Sequence, residues 1–185
     1  MAKVPDPVGS LDSQAQALYD HLVAKRGRID GMYRSLLNHP ELAQHVSELG
    51  SYLRFGDSVL PDEVRELAIL RTARRLGAAY EWVKHVPPAR EAGISETVIE
   101  ELRREQKPEG LTRAQEAALS VVECVLGQQS IPQDTQEALA KQVGLKGVIE
   151  LVVLCGFYQM IAAVTFAFDV PLPEGAHDPF GPSCR

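Results

Sequence analysis

The stretch "RELAILRTARRLGAAYEWVKHVPPAREAGIS", residues 65–95, decides how the rest of the chain is read. Upstream of it Pro61 suits a first helical position, and Asp62 and Glu63 stand in the first turn, where the helix dipole favours acids. Val64, Leu67, Ala68, Ile69 and Leu70 form an apolar face, and Gly77 offers a C-terminal stop. A second helix follows at once and carries Glu81 and His85. Residues four apart stand on one helical face, so the two side chains can touch. A carboxylate beside an imidazole either favours the imidazolium, giving a proton donor, or fixes one tautomer and leaves the other nitrogen to a substrate. Tyr80 and Trp82 flank Glu81 and are expected to wall a pocket. Pro87 and Pro88 cannot donate to the carbonyls of Val83 and Lys84, so the helix is expected to kink, or to end and restart, after His85. On spacing alone the pair reads first as a solvated helix couple, since Glu-x-x-x-His is a weak motif. As half of a metal site it lacks further ligands at diagnostic spacing, since His39, His45 and Glu66 are scattered and His39 before Pro40 marks a helix boundary. No metal is expected.

Outward from this stretch almost everything is helical in pattern. "QAQALYDHLVAKRG" runs to Gly27, and "GMYRSLLNHPELAQHVSELGSYLRFG" is interrupted at Pro40 and closed by Gly50 and Gly56. Ser95 caps "ETVIEELR", and Thr112 with Gln115 has capping-box spacing. "PQDTQEALAKQVG" ends at Gly144 before the apolar run "LVVLCGFYQMIAAVTFAF", residues 151–168. That run reaches the lower edge of spanning length, but Glu150 and Asp169 bound it and no basic cluster anchors either end. A helix apolar all round must be buried, so a core or subunit-interface helix is expected rather than a membrane span. Strand alternation and repeats are absent. The expected fold is all-α and single-domain: an N-terminal segment and helix over 1–29, a helical domain over 30–173 and a proline-rich arm over 174–185.

Composition narrows the function classes. A net charge of −6 with no basic stripe argues against nucleic acid as a partner. Cys124, Cys155 and Cys184 are far apart and form no Cys-x-x-Cys, so neither a zinc ribbon nor a dithiol centre is written here. Cys124 and Cys155 read as small buried residues in a reducing cytoplasm, and Cys184 as an exposed thiol. The N-terminal stretch has no apolar signal core, so secretion is not expected.

The helix "RELAIL", the turn "YEWVKH" and the later "FDVPLP" together resemble the carboxymuconolactone decarboxylase family, over about Asp30 to Pro173. The wider superfamily includes alkylhydroperoxidase D-like reductases, which carry an upstream glutamate and a Cys-x-x-Cys followed four residues on by a histidine. Position by position, Glu66 matches the glutamate and His85 the histidine, while Ala78 and Glu81 stand at the two cysteine positions. The resemblance thus implies the fold and pocket but not peroxide reduction, which needs an attacking and a resolving thiol.

The implied site is Glu66, Glu81 and His85, two carboxylates and an imidazole suited to general acid–base work. Two carboxylates close together in an apolar pocket would leave one with a raised pKa. On its own helix Glu66 also reads as pairing with nearby arginines on a solvated face. The family's chemistry implies a cofactor-free lyase or isomerase acting on a small carboxylated or lactone-like organic acid, in aromatic-compound catabolism. Arg54, Arg65, Arg71 or a neighbouring subunit's arginine would hold the acid. The other readings are a non-catalytic metabolite-binding protein and a peroxidase-like antioxidant protein. A homo-oligomer, trimer or hexamer, is expected from the family and from the apolar run, with the proline-rich arm lying over a neighbour.

Overall fold

The computed structural model describes residues 3–27, 29 and 31–181. Within them lie eight helices and no strand: α1 (Ser13–Arg26), α2 (Gly31–Leu36), α3 (Pro40–Phe55), α4 (Asp62–Leu76), α5 (Ala79–Glu91), α6 (Glu96–Arg103), α7 (Arg113–Leu126) and α8 (Gln133–Ala167). The expected exposure of Cys184 falls outside the described residues.

Helix α4 is the axis of the molecule and packs against α5, α7 and α8. Its nine buried residues include Val64, Glu66, Leu67, Ile69, Thr72 and Ala73, so burial goes round the helix rather than along one stripe. That placement overturns the reading of Glu66 as a surface acid: it is 2% exposed. The helix stops at Gly77, whose left-handed backbone (φ 66°, ψ 23°) suits glycine. Ala78 N–H reaches back to Ala73 O at 2.8 Å and Gly77 N–H to Arg74 O at 3.0 Å, satisfying carbonyls at the helix end. The chain then turns directly into α5, making a tight helical hairpin.

Pro87 and Pro88 lie inside α5, which continues through both to Glu91 instead of ending after His85. Two ladder bonds are forfeited. Ala89, fully buried, and His85 and Trp82 one and two turns earlier hold the segment against the core. A second difference concerns Gly50, which does not close α3. The helix runs on to Phe55 and stops at Gly56. A Cβ at Gly50 would lie 2.8 Å from Tyr33 Oη and 2.9 Å from Phe157 Cζ, so close approach explains the glycine. His39 caps α3, accepting from Leu42 N–H. The Thr112–Gln115 capping box is present in both directions.

Within α8, Gly144 adopts φ 71°, ψ 171° and breaks the helix into two arms, 133–143 and 145–167. The second arm is long and apolar enough to cross a membrane by length and composition, yet more than half of its most apolar window is buried inside the molecule. Leu151, Leu154, Cys155, Tyr158 and Ile161 enter the main core with α3, α4 and α7. Glu150, at the start of this arm, accepts from Tyr52 Oη (2.7 Å), Ser58 Oγ (2.8 Å) and Val59 N–H (2.9 Å), pinning the α3–α4 loop to α8. The C-terminal arm, as far as it is described, folds back on its own chain. Phe180 meets Trp82 edge to face, and Pro179 O accepts from Arg103.

Candidate functional site

Glu66 and His85 come from opposite legs of the α4–α5 hairpin and meet beneath α8. His85 Nδ1 lies 2.7 Å from Glu66 Oε2, and its Nε2 lies 3.0 Å from Tyr158 Oη. All three side chains are buried. Burial alone would raise the Glu66 pKa, but the His85 bond and the charges of His85, Arg54 and Arg65 hold it below the ordinary carboxylate value. For His85, burial pushes the pKa down, Glu66 pulls it up without offsetting this, and Arg54 and Lys84 push it further down. The ground state near neutrality is therefore an ionised Glu66 and a neutral imidazole. Hydrogen-bond logic assigns the tautomer: Nδ1–H donates to Glu66, and Nε2 accepts from the Tyr158 hydroxyl.

Glu81 is not the partner of His85, despite the helical spacing. It is 2% exposed, and its Oε1 lies 3.2 Å from Thr165 Oγ1 on α8. Burial lifts its pKa to about 7, against smaller opposing contributions from its own backbone and from Thr165. Thr165 Oγ1 also lies 3.0 Å from Ala162 O. A hydroxyl has one hydrogen and a carbonyl only accepts. That single hydrogen is divided between Glu81 Oε1 and Ala162 O, so Thr165 is only a weakened donor to Glu81. The second oxygen, Oε2, is buried with no protein partner among the described residues. The two carboxylates are thus split as a pair should be for acid–base work. The cause is separate environments rather than mutual repulsion.

Glu81, His85 and Tyr158 line a cleft of about 270 Å³ with Tyr80, Arg54 and Lys84. Met32, Phe55, Phe157 and Ile161 supply apolar walls. Glu66 stands behind His85 and does not reach the cleft. Trp82, expected in the pocket wall, points the other way into the second core with Leu67, Leu70, Ala89 and Ile99. Tyr80 also borders a larger cavity, about 720 Å³, under the C-terminal segment, whose wall includes Thr165. Tyr158 and Thr165 were missed in the sequence because they sit inside an apolar run without a polar period. Among the described residues no thiol lines the cleft: Cys155 is buried in the core with its pKa pushed up to about 11, and Cys124 is half-buried on α7. His39 and His45 lie exposed on α3, each near a surface glutamate. Among the described residues no three His, Cys, Asp or Glu side chains converge as a metal ligand set.

Residues 40–123 match the model of the Carboxymuconolactone decarboxylase family. No curated protein matches the chain. Among solved structures, a peroxidase-related protein with an alkylhydroperoxidase AhpD core from Ralstonia eutropha JMP134 superposes with a TM-score of 0.76 at 15% identity, covering 97% of this chain and 94% of that one. A protein of unknown function from Agrobacterium tumefaciens, assigned by its description to AhpD-type antioxidant defence, gives 0.65 at 22% identity, covering 75% and 94%. The debrominase Bmp8, in complex with 2,3,4-tribromopyrrole, gives 0.70 at 14% identity, covering 90% and 88%. At these identities the likeness is one of fold.

Proposed function

We propose that the chain, whose residues 40–123 match the Carboxymuconolactone decarboxylase family model, is a member of that family and an acid–base lyase acting on a small carboxylated or lactone-like organic acid through its own side chains. The observation that carries this reading is the state of Glu81. It is a buried carboxyl with a pKa of about 7 and one unpartnered oxygen, standing in the cleft wall. In a decarboxylation the carbon–carbon bond breaks, CO2 leaves, and the electron pair stays on the substrate carbon. Glu81 gives its proton to that carbon, forming the new C–H bond, and is left as a carboxylate that regains a proton from water.

The Glu66–His85–Tyr158 chain is the other half of the machinery. Neutral His85, held in one tautomer by ionised Glu66, accepts the Tyr158 hydroxyl hydrogen and so turns that oxygen's lone pairs toward the cleft. Tyr158 can then take a proton from a substrate hydroxyl while passing its own to Nε2, leaving an imidazolium stabilised by Glu66. The apolar walls favour loss of charge from a substrate carboxylate, an effect whose framing as desolvation is contested.

Thiol peroxide reduction is not supported. Ala78 and Glu81 stand where redox relatives carry cysteines, and the described thiols lie away from the cleft. The test is turnover of a panel of small carboxylated lactones in D2O, followed by proton NMR for CO2 loss and deuterium at carbon. Glu81→Gln is expected to lower kcat by about a hundredfold or more, and His85→Ala comparably. Thermal melts confirm folding of each variant. Unimpaired turnover by folded Glu81→Gln contradicts the assignment.

A further inference from the structure

Arg54 occupies the last turn of α3, one turn beyond Gly50, and its side chain lines the cleft opposite Lys84 and His85 on α5. Its guanidinium lies over the Phe55 ring at 4.8 Å. No hydrogen bond or ion pair joins it to another described residue, and its Nε is buried without a partner. The other arginines near the site are already engaged. Arg65 binds Asp62 at 2.8 Å and lies against Glu66, and Arg71 binds Glu123; Arg71 also has a buried Nη1 without a partner but does not line the cleft. A guanidinium partly withdrawn from water with no counter-ion in contact is costly unless an anion completes it.

We infer that Arg54 is the residue that reads the negative charge of the ligand, and that the cleft takes a small planar carboxylate, aryl or conjugated, with its anionic end on Arg54. The inference rests on the acid–base reading of the same cleft and assigns the cation which that reading leaves open. Guanidinium presents a planar fork matched to carboxylate geometry, which a lysine ammonium does not reproduce. With the carboxylate on Arg54, the ligand body lies between Phe157, Phe55 and Met32, surfaces suited to a flat unsaturated skeleton. The volume of about 270 Å³ is below that of sites for drug-sized molecules, which restricts the ligand to a small acid. A carboxylate held by Arg54 is stabilised as an anion. It is therefore a group retained through the reaction, and Glu81 acts on a carbon farther along the skeleton.

The probes are benzoate and its neutral isostere benzamide, titrated by calorimetry and by NMR into wild type, Arg54→Gln, Arg54→Lys and Glu81→Gln. Wild type is expected to bind benzoate at least about tenfold more tightly than benzamide. Arg54→Gln should weaken benzoate by about ten- to a hundredfold and leave benzamide unchanged, with Arg54→Lys between. Equal benzoate affinity in Arg54→Gln and wild type overturns the inference. So does equal binding of the two probes by wild type, or no benzoate binding at millimolar concentration. If Arg54→Gln does not fold, the wild-type comparison and Arg54→Lys decide. Glu81→Gln separates the two claims. Benzoate selectivity that persists while Glu81→Gln keeps full turnover sinks only the acid assignment. Loss of turnover in Glu81→Gln with no charge selectivity sinks only the role of Arg54.

Discussion

Glu81 keeps its proton because ionising it means burying a carboxylate with one oxygen unpartnered and the other on a hydroxyl that has an alternative acceptor in Ala162 O. This couples to folding with a definite sign. A group whose pKa rises from the ordinary 4.5 to about 7 on folding contributes stability that is fully present below 4.5 and is lost as pH rises through 7. The full span corresponds to roughly 3 kcal/mol. His85, Glu66 and Glu150 are shifted the other way, and their contributions fade in acid. Comparing wild type with Glu81→Gln cancels those common contributions. Between about pH 5 and about pH 8, urea denaturation should show wild type losing roughly 2.5 kcal/mol more stability than the variant. Parallel pH profiles for the two proteins would show that Glu81 titrates as an ordinary surface acid.

At the scale of elements, the site is a product of the α4–α5 hairpin and of α8 laid across it. The Gly77 stop, the short turn and the Ser95 and Thr112 caps were all legible, because each rests on local chemistry that neighbouring residues state. The break at Gly144 was legible for the same reason. The continuity of α5 was not. Two prolines remove two backbone bonds locally, but the burial of Trp82, His85 and Ala89 along α5 is a tertiary matter that outweighs them. The partner of His85 was misjudged likewise. Helical spacing puts Glu81 and His85 on one face, yet the imidazole turns toward α4 and Glu81 toward α8. Spacing fixes which side chains can meet, and packing decides which do. Glu66 was reachable only through the family resemblance, since its own helix is buried all round and gives no polar face to read. Tyr158 and Thr165 gave no signal, because a hydroxyl within an apolar run reads as core until its partner across the bundle is known.

At the scale of the molecule, the second arm of α8 serves the core with one face and leaves another open. Leu145, Ile149, Val153 and Met160 form an exposed apolar stripe along it, and Leu42 and Leu49 add exposed apolar surface on α3. Exposed apolar surface of this kind marks interaction sites on folded proteins. We expect a second copy of the chain to cover the stripe, in keeping with the trimer or hexamer that the resemblance implies. Light scattering should give a mass that is a multiple of 20.3 kDa, and Ile149→Asp should lower it. A monomeric mass for wild type at micromolar concentration contradicts this.

The measurement that bears most directly on the account is the titration of the Glu81 side-chain carboxyl by carbon NMR in the wild-type protein, assigned by its loss in Glu81→Gln. The proton-donor role requires a midpoint near 7, with the carboxyl still protonated where other acids are ionised. A midpoint near the ordinary 4.5 would leave Glu81 without a proton to give, and the proposed chemistry would fall with it.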